Sequence, residues 1–306
     1  MQLWEQGKFG LDDPLYWHLP EYKDLKVATG LGPDGQPVLR DPSRPPTVRD
    51  VLRHTAGFTY GGSEEPADVV WAQLQPLSPD NTLAQFSQKM AQVPLLADPG
   101  TRWIYSASVD VQARLVEVLS GMAFDDFLRT QIFEPAGMTS TWFSVPQSEI
   151  GRFTTNYGIM NGTPLPVDPA KASIYLDPPP FPFGGAGLVS SPRDYDRFLR
   201  MLLGYGVIDG KRVMGELAVR VGTSNILPAT AKTEGTWVEG QGYGAGGRVT
   251  GGSYGWGGAA GTVAFVNYDA GLRAALFTQY MPSEAYPIHE GFPAAVAKDL
   301  AAMQKR

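Results

Sequence analysis

The chain of 306 residues contains no cysteine and only three histidines, His18, His54 and His289. The absence of cysteine excludes disulfides, a thiolate nucleophile and metal sites built on thiolates. The histidines are widely spaced and form no HxxxH pair, so we expect no metal site, and no motif calls for a cofactor. No run of 18 apolar residues occurs, so we expect no membrane-spanning segment.

Charge is also scarce: only 18% of the residues are charged, and the formal net charge is −6. Nucleic-acid-binding domains usually carry a basic field, so the sequence predicts no nucleic-acid partner. The hydrophobic fraction of 43% argues against disorder. The first residues carry neither a positive segment nor a long apolar stretch, so no signal peptide is recognised and we expect a cytoplasmic protein.

Glycine and proline are abundant, with 36 and 26 residues, which predicts many turns and ordered loops. Hydrophobic periodicity nevertheless predicts several helices and two late strands joined by a short hairpin loop. The helices are predicted over residues 82–93 (capped by Asn81), 108–120, 124–133, 191–203 (capped by Ser191) and 292–303. The strands are predicted over residues 262–268 and 272–280.

The order of these elements predicts an α+β fold, in which an antiparallel sheet is flanked by terminal helices and joined to a mostly helical region. We expect one domain over residues 1–306, with the helical region at about 50–205 and the sheet and C-terminal helix at about 240–306. Residues 144–190 are predicted to be irregular. Near the start, a helix should end at Gly7, and a small hairpin should form within residues 11–51.

Tyr105 stands in the segment PGTRWIYSA, directly before the predicted helix 108–120. The positive end of a helix dipole lowers the free energy of a phenolate, so Tyr105 could act as a general base. The alternative, more common for such a segment, is a tyrosine that packs its ring and hydrogen-bonds its hydroxyl.

The segment YGWGGAAG at 254–261 precedes the late strands. Its glycines allow the backbone to approach a ligand and to direct N–H groups at an oxyanion, although a tight turn with a core tryptophan would show the same pattern. His54, in a Thr/Gly turn, is a second candidate base, but a hydrogen-bonded loop anchor is the more frequent role.

The segment GGSYG at 251–255 fits the GxSxG pattern of an α/β-hydrolase elbow, with Asp269 and His289 as the only candidate triad partners. That elbow needs a strand before the serine and a helix after it. Strand-forming residues follow instead, so this alternative is the weaker one.

Taken together and in order, several segments resemble the serine β-lactamase/penicillin-binding-protein superfamily, most closely its class C-like esterase branch, the family VIII carboxylesterases. Each segment is weak alone, but the ordered set covers nearly the whole chain. The segments are WEQGK with LDDP (4–8 and 11–14), VLRHTAG (51–57), PGTRWIYS (99–106), IFEPAGM (132–138) and GWGGAAGT (255–262).

The resemblance implies acyl transfer through a covalent serine ester, with a Ser-x-x-Lys helix as the source of the nucleophile and a small-molecule ester as substrate. It implies that Tyr105 takes and returns protons, helped by the charge of that lysine. It also implies that Trp256, Gly257, Gly258 and Ala259 form the substrate and oxyanion wall, with the N–H of Ala259 as an oxyanion donor.

Two departures from the family pattern concern the substrate. The family's Tyr-x-Asn is Tyr105-Ser106-Ala107 here, so the amide side chain is absent. β-Lactamases of the family place Lys or His at the third motif, where a cation can hold the β-lactam carboxylate, and Trp256 cannot supply that charge. Both departures favour an apolar ester over a penicillin.

The third departure is that no lysine of this chain has a serine three residues before it. By comparison with the family, we expect the chain to begin inside the nucleophile helix and to lack the N-terminal strands. Such a chain should form no acyl-enzyme, and it should self-associate through an uncovered sheet edge. The alternatives are a non-catalytic binding or scaffold protein and a β-lactamase or D-amino-acid peptidase.

Overall fold

The structure is a computed structural model that describes residues 1–303. The helices in this part of the chain are α1 (Gln2–Glu5), α2 (Val48–Leu52), α3 (Ala67–Leu74), α4 (Leu83–Met90), α5 (Ser108–Ser120), α6 (Phe124–Leu128), α7 (Glu134–Ala136), α8 (Pro192–Leu203), α9 (Glu216–Gly222) and α10 (Ile288–Met303). The strands are β1 (Val27–Leu31), β2 (Pro37–Arg40), β3 (Asn156–Met160), β4 (Thr163–Asp168), β5 (Val207–Ile208), β6 (Lys211–Arg212), β7 (Gly242–Tyr243), β8 (Arg248–Thr250), β9 (Ser253–Gly258), β10 (Thr262–Asn267), β11 (Leu272–Leu276) and β12 (Tyr280–Met281).

The chain divides into two compact units. The first unit comprises Met1–Ile132, Pro179–Gly187 and Met214–Thr250, and the second comprises Phe133–Pro178, Leu188–Val213 and the residues from Gly251 onward. Helices and antiparallel strands occur together, which confirms the predicted α+β class. The single-domain organisation stays a prediction. Within residues 1–303, no helix has both the length and the apolar character needed to cross a membrane.

Helix α5 is the central helix of the first unit and packs against α2, α4 and α6. Its bounds agree with the sequence prediction, because Val111 and Leu115 are buried on one face and Gly121 ends it in a left-handed conformation. Helix α1 and Gly7 also agree with the prediction, as does the hairpin of β1 and β2.

The predicted start of α4 was wrong by one residue. Thr82, not Asn81, is the cap, and it forms a capping box with Gln85. The side chain of Asn81 donates instead to the carbonyl oxygen of Pro76 at 2.7 Å. The helix ends at Met90, short of the predicted residue 93.

The predicted helix 124–133 is also shorter, because a π-helical turn replaces its last residues.

The second unit is built on the antiparallel strands β9, β10 and β11. Helix α8 packs against β10 and β11, while α10 packs against β10 and begins before the predicted residue 292. Ser191 caps α8 as predicted, by accepting the N–H of Asp194. Strand β11 lies at the edge of its sheet, and self-association through this edge stays a prediction.

A second sheet of this unit lies within residues 144–190, so the prediction of an irregular segment there was wrong. Strands β3 and β4 form a hairpin within residues 144–190, and β12 pairs with β3 in parallel. The predicted strand 272–280 was therefore wrong in its second half. It ends at Leu276, and Tyr280 belongs to the other sheet, where its N–H also donates to the carbonyl oxygen of Ala260 at 3.2 Å.

Candidate active site

Tyr105 stands at the end of an extended segment that leads into α5. Two hydrogen bonds hold this segment to the turn at His54. The Ile104 N–H donates to the His54 carbonyl oxygen at 2.8 Å, and the Ser106 N–H donates to His54 Nδ1 at 3.2 Å. Gly100, at φ +85°, begins the segment, and a Cβ there would lie 2.5 Å from the Arg44 guanidinium. The motif therefore needs its glycine for both space and conformation.

The ring of Tyr105 is the centre of an aromatic cluster. Its centroid lies 5.0 Å from that of His54, 5.1 Å from Trp237, 5.4 Å from Tyr60 and 6.1 Å from Trp103. Rings at these separations contribute favourable contacts beyond the area that they bury. The cluster surrounds the tyrosine with other rings and thereby restrains its orientation. The general-base role of Tyr105 stays a prediction.

His54 acts as an anchor within this cluster. Its side chain is buried, with an exposed fraction of 1%, and its backbone is left-handed at φ 57°. Because Nδ1 accepts the Ser106 N–H, the neutral tautomer carries its proton on Nε2. Burial lowers the pKa of His54 to about 3, so the ring is uncharged at neutral pH. These features support the loop-anchor interpretation over that of a catalytic base.

The turn that carries His54 is held by the carboxylate of Asp50, which is fully buried. This carboxylate accepts hydrogen bonds from Arg44 at 2.5 and 3.1 Å, from Arg53 at 2.8 Å and from the Thr55 hydroxyl at 2.9 Å. Burial opposes its ionisation, but these hydrogen bonds outweigh burial, and the pKa of Asp50 is lowered. The position of the Tyr105 segment thus depends on a buried ionic network.

Asp110, in the first turn of α5, is a buried carboxylate that the sequence analysis did not single out. Its Oδ1 accepts the Gly185 N–H at 3.2 Å, whereas its Oδ2 has no hydrogen-bond partner among residues 1–303. Burial raises the pKa of Asp110 to about 6. A Cβ on Gly185 would lie 2.8 Å from the Tyr60 hydroxyl, so this glycine leaves room beside the cluster. The glycine run at 184–185 was visible in the sequence, but nothing local pairs it with Asp110.

The third motif forms strand β9 and the turn after it. Trp256 is opposite Ala264 of β10, and Gly258 is opposite Thr262. The turn closes with a 3.0 Å hydrogen bond from the Gly261 N–H to the Gly258 carbonyl oxygen. Ala259 takes the first central position of this turn, and the closing bond does not use its N–H. This geometry is compatible with an oxyanion donor at Ala259, which stays a prediction.

His289 of helix α10 lies close to β9 at Gly257, where the strand has no side chain. A Cβ on Gly257 would lie 2.9 Å from the ring of His289. Side chains alternate along a strand, so Trp256 points to the opposite face, away from this helix. Tyr105 belongs to the first unit and residues 256–259 to the second, and the predicted joint site of the two motifs stays a prediction.

The α/β-hydrolase alternative was wrong. Ser253 begins a strand and no helix follows it, so the strand–elbow–helix geometry is missing. The hydroxyl of Ser253 accepts a 2.8 Å hydrogen bond from the side-chain amide of Asn267. His289 Nε2 is hydrogen-bonded to the Thr262 carbonyl oxygen at 3.0 Å. The proposed nucleophile and base therefore have other partners.

Comparison with known proteins identifies the class of this fold. Residues 1–297 match the family model described as Beta-lactamase, and the chain belongs to this family. The resemblance deduced from the ordered motifs is thereby confirmed.

Among solved structures, the LovD9 mutant of simvastatin synthase from Aspergillus terreus superposes with a TM-score of 0.80, at 24% identity, over 99% of this chain and 80% of that one. EstCE1, described as a hydrolase with promiscuous acyltransferase activity, gives 0.74 at 25% identity, over 92% of this chain and 77% of that one.

Curated relatives are similar over shorter stretches. An uncharacterized protein of Mycobacterium tuberculosis is 34% identical over 224 residues, which are 72% of this chain and 54% of that protein. The lovastatin esterase of Penicillium rubens is 32% identical over 143 residues, 47% of this chain and 35% of the esterase. The chain thus matches about half, or less, of the length of these relatives.

Proposed function

We propose that this chain carries the ester-binding and proton-transfer part of a serine hydrolase or acyltransferase that acts on carboxylic esters with apolar groups. In the proposed reaction a serine hydroxyl attacks the ester carbonyl and gives its proton to Tyr105. The C–O bond to the alcohol then breaks, the alcohol leaves with that proton, and an acyl-enzyme remains. Water or a second alcohol releases the acyl group in the reverse sequence of proton transfers. The N–H of Ala259 stabilises the oxyanion, and Trp256 forms an uncharged wall.

The fixed, apolar environment of Tyr105 is the observation that carries this proposal. A tyrosine of the family motif, held by the His54 turn and surrounded by rings, is suited to an uncharged ester. The relative described as a lovastatin esterase and EstCE1, described as a hydrolase with promiscuous acyltransferase activity, support the same reaction class. A penicillin carboxylate would call for a cation, and Trp256 has none.

We expect these 306 residues by themselves to form no acyl-enzyme, because no Ser-x-x-Lys occurs in them. Loss of a nucleophile lowers rates by orders of magnitude, since the catalytic groups act as a unit. Incubation with a fluorophosphonate or with p-nitrophenyl butyrate, followed by intact-mass measurement, should give no adduct. Release of p-nitrophenol should be no faster than with the Tyr105→Phe variant, which lacks only the hydroxyl. A stoichiometric adduct on any serine would refute this assignment.

Ester binding tests whether this chain has the proposed ester site, which a binding protein that kept the pocket and lost the chemistry would share. The chain should bind phenyl butyrate reversibly and leave it intact, as followed by ligand-observed NMR. The absence of a saturable signal would contradict the proposed ester site. Nitrocefin should not compete with the ester, whereas competition would favour the β-lactamase alternative.

A further inference from the structure

Trp237 of the first unit has a large apolar side chain that is 60% exposed. Tryptophan is normally well buried, since its indole removes more apolar surface from water than most side chains. The indole contacts the ring of Tyr105 in a tilted arrangement, at a centroid distance of 5.1 Å and an interplanar angle of 58°. The indole is thus accessible to solvent over part of its surface, beside the residue proposed to transfer protons.

The backbone around Trp237 is held in place rather than left loose. The next residue, Val238, is fully buried and anchors the turn. Within the turn, the Thr236 N–H donates to the Thr233 carbonyl oxygen at 3.1 Å, and the Gly235 N–H donates to the Glu239 carboxylate at 2.9 Å. The indole is therefore presented from a hydrogen-bonded turn.

The start of the same loop is tied to the segment that carries Tyr105. The Trp103 N–H donates to the Lys232 carbonyl oxygen at 3.0 Å, and the Lys232 N–H donates to the Thr101 carbonyl oxygen at 2.9 Å. The Thr230 hydroxyl donates to the Gly100 carbonyl oxygen at 2.9 Å. These bonds fix the loop against the Tyr105 segment. Ligand binding at the indole should therefore cost little conformational entropy of the loop.

We propose that Trp237 is a specificity-determining residue that selects esters with a flat apolar group, such as aryl or fused-ring esters, by stacking that group beside Tyr105. This inference rests on the proposed function, because it assumes that Tyr105 marks the ester site. A flat ring gains face contact with an indole that a puckered ring of equal size cannot match. The preference therefore concerns shape more than hydrophobicity.

Two esters of equal ring size test this proposal. Phenyl butyrate and cyclohexyl butyrate share the acyl chain and differ in planarity. Because the chain has no Ser-x-x-Lys, we expect binding to be measurable without turnover, by ligand-observed NMR. The unmodified chain should bind the phenyl ester about fivefold more tightly than the cyclohexyl ester. Trp237→Leu should abolish this preference, and Trp237→Phe should retain most of it.

Trp17 provides a matched control, since its exposed fraction of 63% is similar. Trp17→Leu should keep the fivefold preference. Circular dichroism establishes that each variant is folded, and Trp237→Met is a second non-planar replacement should the leucine variant not fold. An unchanged preference in the leucine or methionine variant would overturn the role of Trp237 and leave the ester site intact. Failure of the unmodified chain to bind either ester would overturn the proposed function, and this inference with it.

Discussion

Replacement of Asp50 by asparagine should lower the free energy of unfolding by about 3–5 kcal/mol. The carboxylate is fully buried and accepts hydrogen bonds from the guanidinium groups of Arg44 and Arg53. Arg53 is itself buried, so the amide would leave a guanidinium inside the protein without its counter-charge. The loss comes from that stranded charge rather than from the attraction of the original pair.

Asp12→Asn is the matched control for this prediction. Asp12 also pairs with an arginine of helix α2, Arg49, at 2.7 Å, but its side chain is 74% exposed. An exposed ion pair contributes at most about 1 kcal/mol. Urea unfolding of the two variants, followed by circular dichroism, should therefore shift the midpoint strongly for Asp50→Asn and little for Asp12→Asn. Equal shifts would show that the buried network does not hold this region.

Acid should destabilise the protein through His54, and His54→Asn should remove that component. Burial lowers the pKa of His54 to about 3, below its ordinary value of 6.5. The unfolded chain therefore binds a proton that the folded chain excludes, so stability is present above pH 6.5 and is lost as the pH falls toward 3. Between pH 7 and pH 4.5 this contribution amounts to about 2.5 kcal/mol.

Asparagine is the appropriate replacement because it tolerates the left-handed backbone at this position, and its side-chain oxygen can accept the Ser106 N–H in place of Nδ1. The smaller side chain also leaves a cavity, which lowers stability at every pH. The informative measurement is therefore the pH dependence of urea unfolding, and not its value at pH 7.

Val111→Ala controls for the cavity, since it truncates a buried residue that does not titrate. It should retain the acid sensitivity of the unmodified chain. Asp110, with a pKa raised to about 6 by burial, changes stability in the opposite direction as the pH falls, but it is common to all three proteins and cancels in their difference. If His54→Asn and the unmodified chain lose stability in parallel between pH 7 and 4.5, His54 is not the acid-sensitive group.

Local signals predicted several elements well. Helix α5 carries its apolar spacing and its terminal glycine within a few residues, and α8 carries its serine cap and first-turn proline in the same way. The start of α4 is also locally encoded, in the Thr82–Gln85 capping box, although the predicted cap was Asn81.

Strand β4 was missed because its sequence argues against a strand. Pro164 and Pro166 cannot donate hydrogen bonds to a ladder, and such residues are tolerated only where no donor is needed. Strand β4 lies at the edge of its sheet, where one side has no partner strand. The parallel pairing of β12 with β3 was equally hidden, because it joins segments about 120 residues apart.

By itself, the sequence determined the family, through short motifs whose order survives along the chain, and it determined that no Ser-x-x-Lys lies within these 306 residues. Only the tertiary structure decided which rings surround Tyr105, that Asp110 is buried, and that Trp237 stands exposed beside the tyrosine. The physical reason is that a motif is recognised from residues adjacent in the chain, whereas burial and ring contacts depend on segments that meet only when the chain folds.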